Sequence, residues 1–195
     1  IQKPYEEGYE AYSKDIINRY NSGELADADL IDFPDSLTYY TMEKNRPVYG
    51  GGGIMPDYYV PIDTSYYNDY YRSLISRGIL NQFILEFVDK NRKALYAKYS
   101  DFSTYQKRFE VDSDMINKLI EYAEDEGLKY DDDDFNQSED QIKMLFKAYI
   151  ARDMWNTSEF YQIYNQKDPI YLKSREIINS QTLYSKKLQA YKSGK

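Results

Sequence analysis

Cysteine and histidine are both missing from this chain of 195 residues. Without cysteine there is no disulfide, no thiol nucleophile and no thiolate metal site, and the redox compartment is unreadable. Without histidine the commonest general base and metal ligand are gone, with every Ser-His-Asp and Cys-His arrangement. Any chemistry must rest on carboxylates, lysine, tyrosine, serine or threonine. No apolar run approaches the length of a membrane span. No basic-then-apolar signal segment is visible either. The first residue is Ile1 rather than Met, so the sequence is expected to begin inside a longer protein, as a mature product or a cut fragment. The missing signal therefore says nothing about export of the parent.

Positive charge is also short. Lys and Arg total 25 against 33 Asp and Glu, a net charge of −8, and the cations form no block. That argues against a sequence-independent nucleic-acid surface, which needs a basic stripe, and against an anionic membrane surface. What the chain has in abundance is tyrosine, 24 residues. Tyrosine buries a large ring while keeping a polar tip. The rings suit an aromatic-rich packing surface between helices, or an exposed surface for carbohydrate or protein.

Hydrophobic spacing divides the chain near Asp63. Before it, Tyr9, Tyr12, Ile16 and Tyr20 recur at helical spacing, which predicts a short helix over Tyr5 to Tyr20, stopped by Asn21-Ser22-Gly23. Ala26 to Ser36 reads as an acidic surface loop. Leu37 to Met42 and Arg46 to Tyr49 read as the strands of a hairpin turning at Glu43-Lys44-Asn45. Tyr58 to Pro61 reads as one more short strand. A lone hairpin is marginal in water, so the remaining strands of its sheet are expected elsewhere, and its exposed edge is expected to need cover.

After Asp63 the pattern is helical. Thr64 or Ser65 is the expected cap of a helix broken at Gly78. Leu80, Phe83, Ile84, Phe87, Val88 and Leu95 form an apolar stripe. A short helical connector is expected over Asp101 to Phe109, and Asp112 caps a helix that stops near Gly127. Ser138 with Gln141 has the capping-box form and is expected to open a helix burying Ile142, Leu145, Phe146, Tyr149, Ile150 and Met154. Asp168-Pro169 predicts the start of a last helix running to about Tyr191, carrying Ile170, Ile177, Ile178, Tyr184 and Leu188. The expected fold class is mainly α: a helical domain over 63–195, preceded by a small β fragment within 1–62.

Candidate chemistry is thin. The glycines Gly50, Gly51, Gly52 and Gly53 lie in Arg46-Pro-Val-Tyr-Gly-Gly-Gly-Gly-Ile-Met-Pro56-Asp57 and permit backbone conformations closed to other residues. They do not form a phosphate loop, which needs Gly-Lys-Ser/Thr opening a helix, nor a dinucleotide fingerprint. Counting calcium-loop positions from Asp132 puts Gln137 where the loop needs glycine and Lys143 where it needs glutamate. Asp131 to Asp134 are therefore expected to form a solvated acidic loop leading to Ser138. Ser13-Lys14 and Ser185-Lys186 are neighbours on helices, where adjacent residues face different ways, and are read as solvent-facing. Glu6-Glu7 and Asp27/Asp29 carry no spacing argument. Arg46 is the one basic residue beside the glycines. No catalytic, cofactor-binding or metal-ligating residue is predicted.

Ile1-Gln2-Lys3-Pro4-Tyr5, the tyrosine-rich helix after it and the segment Arg46 to Asp57 resemble the C-terminal processing (tail-specific) serine peptidases, in the form found in Bacteroides-like bacteria. The likeness is specific over Ile1 to Pro61 and weaker over the helices, which resemble the C-terminal extension of that branch. The resemblance implies that the β fragment is the end of a protease core, with Gly50 to Gly53, Pro56 and Asp57 as structural elements. Asn45 stands where the family has glycine. A serine nucleophile and a lysine base would lie upstream of Ile1, since neither of their motifs, nor the PDZ module, occurs here. The resemblance also implies a protein or peptide substrate bound through the missing core, cleavage near C-termini, and a place in the periplasm or cell envelope. A homo-oligomer through the exposed strand edge is a possible partner arrangement. The rival expectation is a non-enzymatic helical module that binds protein or carbohydrate through exposed tyrosines, and a third is a calcium-dependent structural domain resting on the Asp131 run.

Overall fold

The structure, a computed structural model, describes residues 8–23, 35–50 and 56–188. Among these the chain is mainly α, with nine helices and one two-stranded antiparallel sheet near its N-terminal end. It divides into two compact units, one of Ile1–Asp63 with Lys173–Lys195 and the other of Thr64–Leu172. No helix among the described residues is long and apolar enough to cross a membrane.

The Thr64–Leu172 unit holds α2 (Asp69–Ser76), α3 (Ile79–Lys98), α4 (Phe102–Arg108), α5 (Ser113–Asp125), α6 (Asp132–Met154) and α7 (Thr157–Tyr164). Helix α6 is the hub, packing against α2, α3 and α7, while α3 also meets α2 and α5. The apolar stripes point inward: Leu80, Ile84 and Val88 of α3, Leu119 of α5, and Ile142, Phe146 and Ile150 of α6 are fully buried. Each such side chain contributes about 1.5–3 kcal/mol on burial. Phe146 meets the rings of Phe83 and Phe87 edge-on, with centroids 5.7 and 5.8 Å away.

Four tyrosines, Tyr70, Tyr71, Tyr99 and Tyr105, belong to this core. Tyr105 sits among Tyr99, Phe109 and Trp155, and its hydroxyl donates to the Lys147 carbonyl at 2.9 Å. The ring is thus buried with its polar tip satisfied. Other tyrosines, among them Tyr39, Tyr40, Tyr67, Tyr161 and Tyr184, are exposed.

Several helix starts differ from the sequence reading. Neither Thr64 nor Ser65 caps α2. Thr64 begins a turn closed by Tyr67 N–H at 3.0 Å, and Asn68 is the cap, its side chain accepting from Tyr71 N–H at 2.9 Å. Ser138 does not open α6. Asp131 does, accepting from Asp134 N–H at 2.9 Å, so the acidic run is the first turn of a helix rather than a loop. Carboxylates are stabilised there by the positive end of the helix dipole. Ser138 lies buried inside α6 with its hydroxyl donating back to the Asp134 carbonyl at 2.8 Å, a bond that satisfies serine within a helix.

The starts of α2 and α6 also cap each other. Asn68 Nδ2 donates to the Asp134 carbonyl at 2.6 Å, and Asp134 Oδ2 accepts from Tyr70 N–H at 3.1 Å. Asn68→Ala and Asp134→Ala are each expected to cost about 0.5–2 kcal/mol. Because both changes loosen one junction, the double variant should lose at least about 0.5 kcal/mol less than the two losses added. Urea unfolding of the four proteins measures this, and strict additivity would contradict the reciprocal cap.

Helix α7, capped by Asn156, was not expected from the sequence. The last helix is in fact two, α8 (Pro169–Asn179) and α9 (Gln181–Leu188). They are separated at Ser180, whose N–H bonds to Ile177 O at 3.1 Å and whose hydroxyl accepts from Leu183 N–H at 3.3 Å. No residue of α8 is buried. Ile170, Ile178 and Tyr184, carried on these helices, are exposed, Ile178 at 73%.

In the other unit, α1 spans Gly8–Asn21 and a 3-10 turn, Asp35–Leu37, leads into the hairpin of β1 (Thr38–Tyr40) and β2 (Pro47–Tyr49). The register pairs Thr38 with Tyr49, Tyr39 with Val48 and Tyr40 with Pro47. Tyr58 to Pro61 is not a strand. It is held by side chains instead of a ladder: Tyr58 Oη donates to Leu183 O at 2.9 Å and the Lys173 ammonium lies 5.9 Å from the Tyr58 ring. Pro61 has no N–H to give a ladder.

Candidate functional site

The hairpin positions what is described of the glycine segment. Its turn closes through Thr41 N–H to Arg46 O at 2.9 Å and Asn45 N–H to Thr41 O at 3.0 Å. Asn45 has φ +49, the left-handed region, which asparagine tolerates better than most side chains. Arg46 N–H then donates to Thr41 Oγ1 at 2.9 Å. Past β2, Gly50 N–H donates to Leu37 O at 2.9 Å. A Cβ on Gly50 would stand 3.0 Å from Cε2 of Tyr39, so glycine here admits the close passage of that ring.

Gly51, Gly52 and Gly53 lie outside the described residues. Where the described chain resumes, Pro56 and Asp57 are exposed, and the Asp57 carboxylate pairs with the Arg46 guanidinium. The segment that contains the glycines is therefore tied at its base, by Arg46 to Asp57 and by Gly50 to Leu37. Arg46 is spent on this pair. The side chains are 26% and 52% exposed, so the link contributes at most about 1 kcal/mol. It supplies neither a nucleophile nor a base.

Among the described residues the other candidates do not assemble a catalytic group. Lys14 pairs with Glu10 on the exposed face of α1, and the side chain of Ser13 is outside the described set. Ser185 accepts from Gln181 at 3.2 Å, while Lys186 is exposed. Glu6-Glu7 and Asp27/Asp29 fall outside the described residues. Among the described residues no group of three or more acidic side chains is placed to hold a metal ion.

The sequence reading missed Lys147. Its ammonium donates to the carbonyls of Gln106 and Phe109, each at 2.8 Å, closing the C-terminal end of α4. Burial pushes its pKa below the ordinary lysine value, with Glu110 pulling the other way. A lowered pKa marks some catalytic lysines, yet this ammonium is committed to two carbonyls. Its position on α6 between buried Phe146 and Ala148 gave no signal in the sequence beyond a lysine interrupting an apolar run.

Comparison with protein families matches residues 70–156 to a family of unknown function, DUF8443. The matched stretch lies wholly within the Thr64–Leu172 unit. No curated protein and no solved structure matches the chain.

Proposed function

We propose that the chain is the C-terminal portion of a C-terminal processing serine endopeptidase of the periplasm or cell envelope. In this reading it carries the last strands of the catalytic core and a helical extension, and the serine and lysine that perform the cleavage lie upstream of Ile1. The observation that carries the reading is the segment Arg46 to Asp57, whose residues resemble that family. It runs from a hairpin strand into the glycines and is closed at its base by the Arg46–Asp57 pair. The substitution of Asn45 for the family's glycine is compatible with it, because Asn45 occupies a left-handed turn position that suits either residue.

The hairpin supports the reading a second way. Its sheet has two strands among the described residues, with Tyr39, Tyr40, Met42 and Val48 exposed. In this proposal the rest of a protease core, or a second copy of the chain, covers that edge. The helical extension then packs on the core, gates access, or binds a partner or substrate. The rival, a non-enzymatic module binding protein or carbohydrate through exposed rings, draws on the same hairpin tyrosines.

The chain alone is expected to release no product from a fluorogenic peptide with a free C-terminus, while the longer gene product containing it cleaves that peptide. Cleavage that co-purifies with the isolated chain would overturn the assignment. A longer product that binds such peptides without cutting them would favour the rival.

A further inference from the structure

We propose that the groove between α3 and α5 binds an extended polypeptide segment carrying lysine or arginine side chains. The inference concerns the Thr64–Leu172 unit and stands whether or not the parent is a peptidase. Although α3 and α5 pack together, they leave an open hollow of about 490 Å³ floored by Phe83, Phe87 and Tyr122 and rimmed by Glu86, Glu121 and Asp125. A second hollow of about 390 Å³ shares Phe87 and Asn91 with the first and continues along α3 to Leu95 and Lys98. From Phe83 to Leu95 a helix rises roughly 18 Å, the length of about five extended residues. That is long for a small amine and suited to a peptide.

The chemistry of the lining selects a cation on an apolar stem. Phe83 lies 5.5 Å from Tyr122 and 6.2 Å from Phe87, so the half-buried rings of Phe87 and Tyr122 form the accessible floor with the buried Phe83 behind them. Aromatic faces attract ammonium and guanidinium groups and accept their methylene stems. Glu121 and Asp125 are exposed, and Glu121 acts on Lys118 through space, behind that lysine's closer partner Asp114. Glu86 holds only long contacts, 3.3 Å to Lys90 and 3.3 Å to the Tyr122 hydroxyl.

The two lysines of this rim already have carboxylates one turn away on their own helices, Lys90 with Glu86 and Lys118 with Asp114 at 2.7 Å. In the first hollow three carboxylates, Glu86, Glu121 and Asp125, face these two ammonium groups, while in the second Lys98 and Arg108 are matched by Glu110 and Asp112, so the excess that favours a cation lies at Glu121 and Asp125. Burying a cation between an aromatic floor and carboxylates strengthens both attractions, because water is displaced from between them.

The test is fluorescence anisotropy on the full chain with three fluorescein-labelled octapeptides, of alternating Leu and Lys, Leu and Glu, and Ser and Lys. The Leu-Lys peptide is expected to bind at least about tenfold more tightly than either of the others, since it alone offers both the stem and the charge. Glu121→Gln with Asp125→Asn, two exposed changes that leave the core intact, should weaken it by about fivefold or more. Amide shifts on binding should centre on Phe83, Phe87 and Tyr122. No binding of the Leu-Lys peptide would overturn the proposal. So would equal binding of the Ser-Lys peptide, which would be plain charge attraction, indifference to the double substitution, or shifts centred away from α3 and α5.

Discussion

Raising the pH from 10 to 12 is expected to unfold the helical unit. The pKa values of Tyr70 and Tyr71 are both pushed up to about 12. For Tyr70 the cause is burial first, then the neighbouring Tyr130 and Glu124. For Tyr71 it is burial first, then Tyr66, with a hydrogen bond to Gln141 pulling back. Burial also drives Tyr105 well above its ordinary value. In the unfolded chain these phenols ionise near pH 10. Between that value and the folded pKa the native state holds protons that the unfolded state has released, so unfolding takes up hydroxide and stability falls as pH rises. The stabilisation is fully present below about pH 10 and is lost as the pH climbs towards 12.

A rise from about 10 to about 12 is worth a few kcal/mol for each ring, so Tyr70 and Tyr71 together hold a sizeable part of the stability of a marginally stable domain. Lys147 acts in the opposite sense, because its lowered pKa favours the native state as pH rises. It is one group against several tyrosines shifted the other way, so the tyrosines decide the direction. Ultraviolet titration of tyrosinate, with circular dichroism followed in parallel, should show the exposed rings ionising first and the buried ones only as helical signal is lost. A single ionisation step near pH 10 with native helicity retained would contradict the buried-ring account.

Truncating Phe146 is expected to be the most damaging single change in the core. The ring is fully buried on the hub helix and joins α6 to α3 through its edge-on contacts with Phe83 and Phe87. Phe146→Ala should cost about 3–5 kcal/mol, from lost burial and the cavity left behind. At about 2–4 °C per kcal/mol for a chain of this size, the thermal midpoint should fall by roughly 6–20 °C. Ile178→Ala is the matched control. The sequence reading buries Phe146 and places Ile178 on the last helix; Ile178 is 73% exposed, and its loss should stay within about 0.5 kcal/mol. Equal losses at the two sites would refute the placement of the core.

These two residues show what was legible in the sequence and what was not. The stripe from Leu80 to Leu95 and the run from Ile142 to Met154 identify buried helix faces because several apolar residues repeat at one spacing. In α8 Ile170, Tyr171, Ile177 and Ile178 also share one helix face, yet none is buried, because spacing shows that a stripe exists and not that another element covers it. Helix starts failed where a better cap stood nearby. Asn68 wins over Thr64 because it also reaches the Asp134 carbonyl, a partner 66 residues away that no local window contains. Ser138 matched the capping-box spacing, but four consecutive aspartates ahead of it gave the helix an earlier start.

At the glycine segment the residue types suggest a backbone device, and at Gly50, the one glycine of the four among the described residues, a Cβ would crowd Tyr39. The Arg46–Asp57 pair that closes the segment spans eleven positions and depends on the hairpin register, which the turn sequence alone did not fix. The α3–α5 groove was least legible of all, because the apolar stripe does not distinguish Phe83, which is buried, from Phe87, which stays half-exposed beside α5.

The most direct measurement of the central proposal is the site of covalent labelling in the longer gene product that contains this chain. Treatment with a serine-directed fluorophosphonate, digestion and mass spectrometry locate the adduct. The account predicts one adduct, on a serine upstream of Ile1, with its formation suppressed by replacing an upstream lysine and none within Ile1 to Lys195. An adduct on a serine of this chain, or a longer product that cleaves peptides yet takes no label, would contradict it.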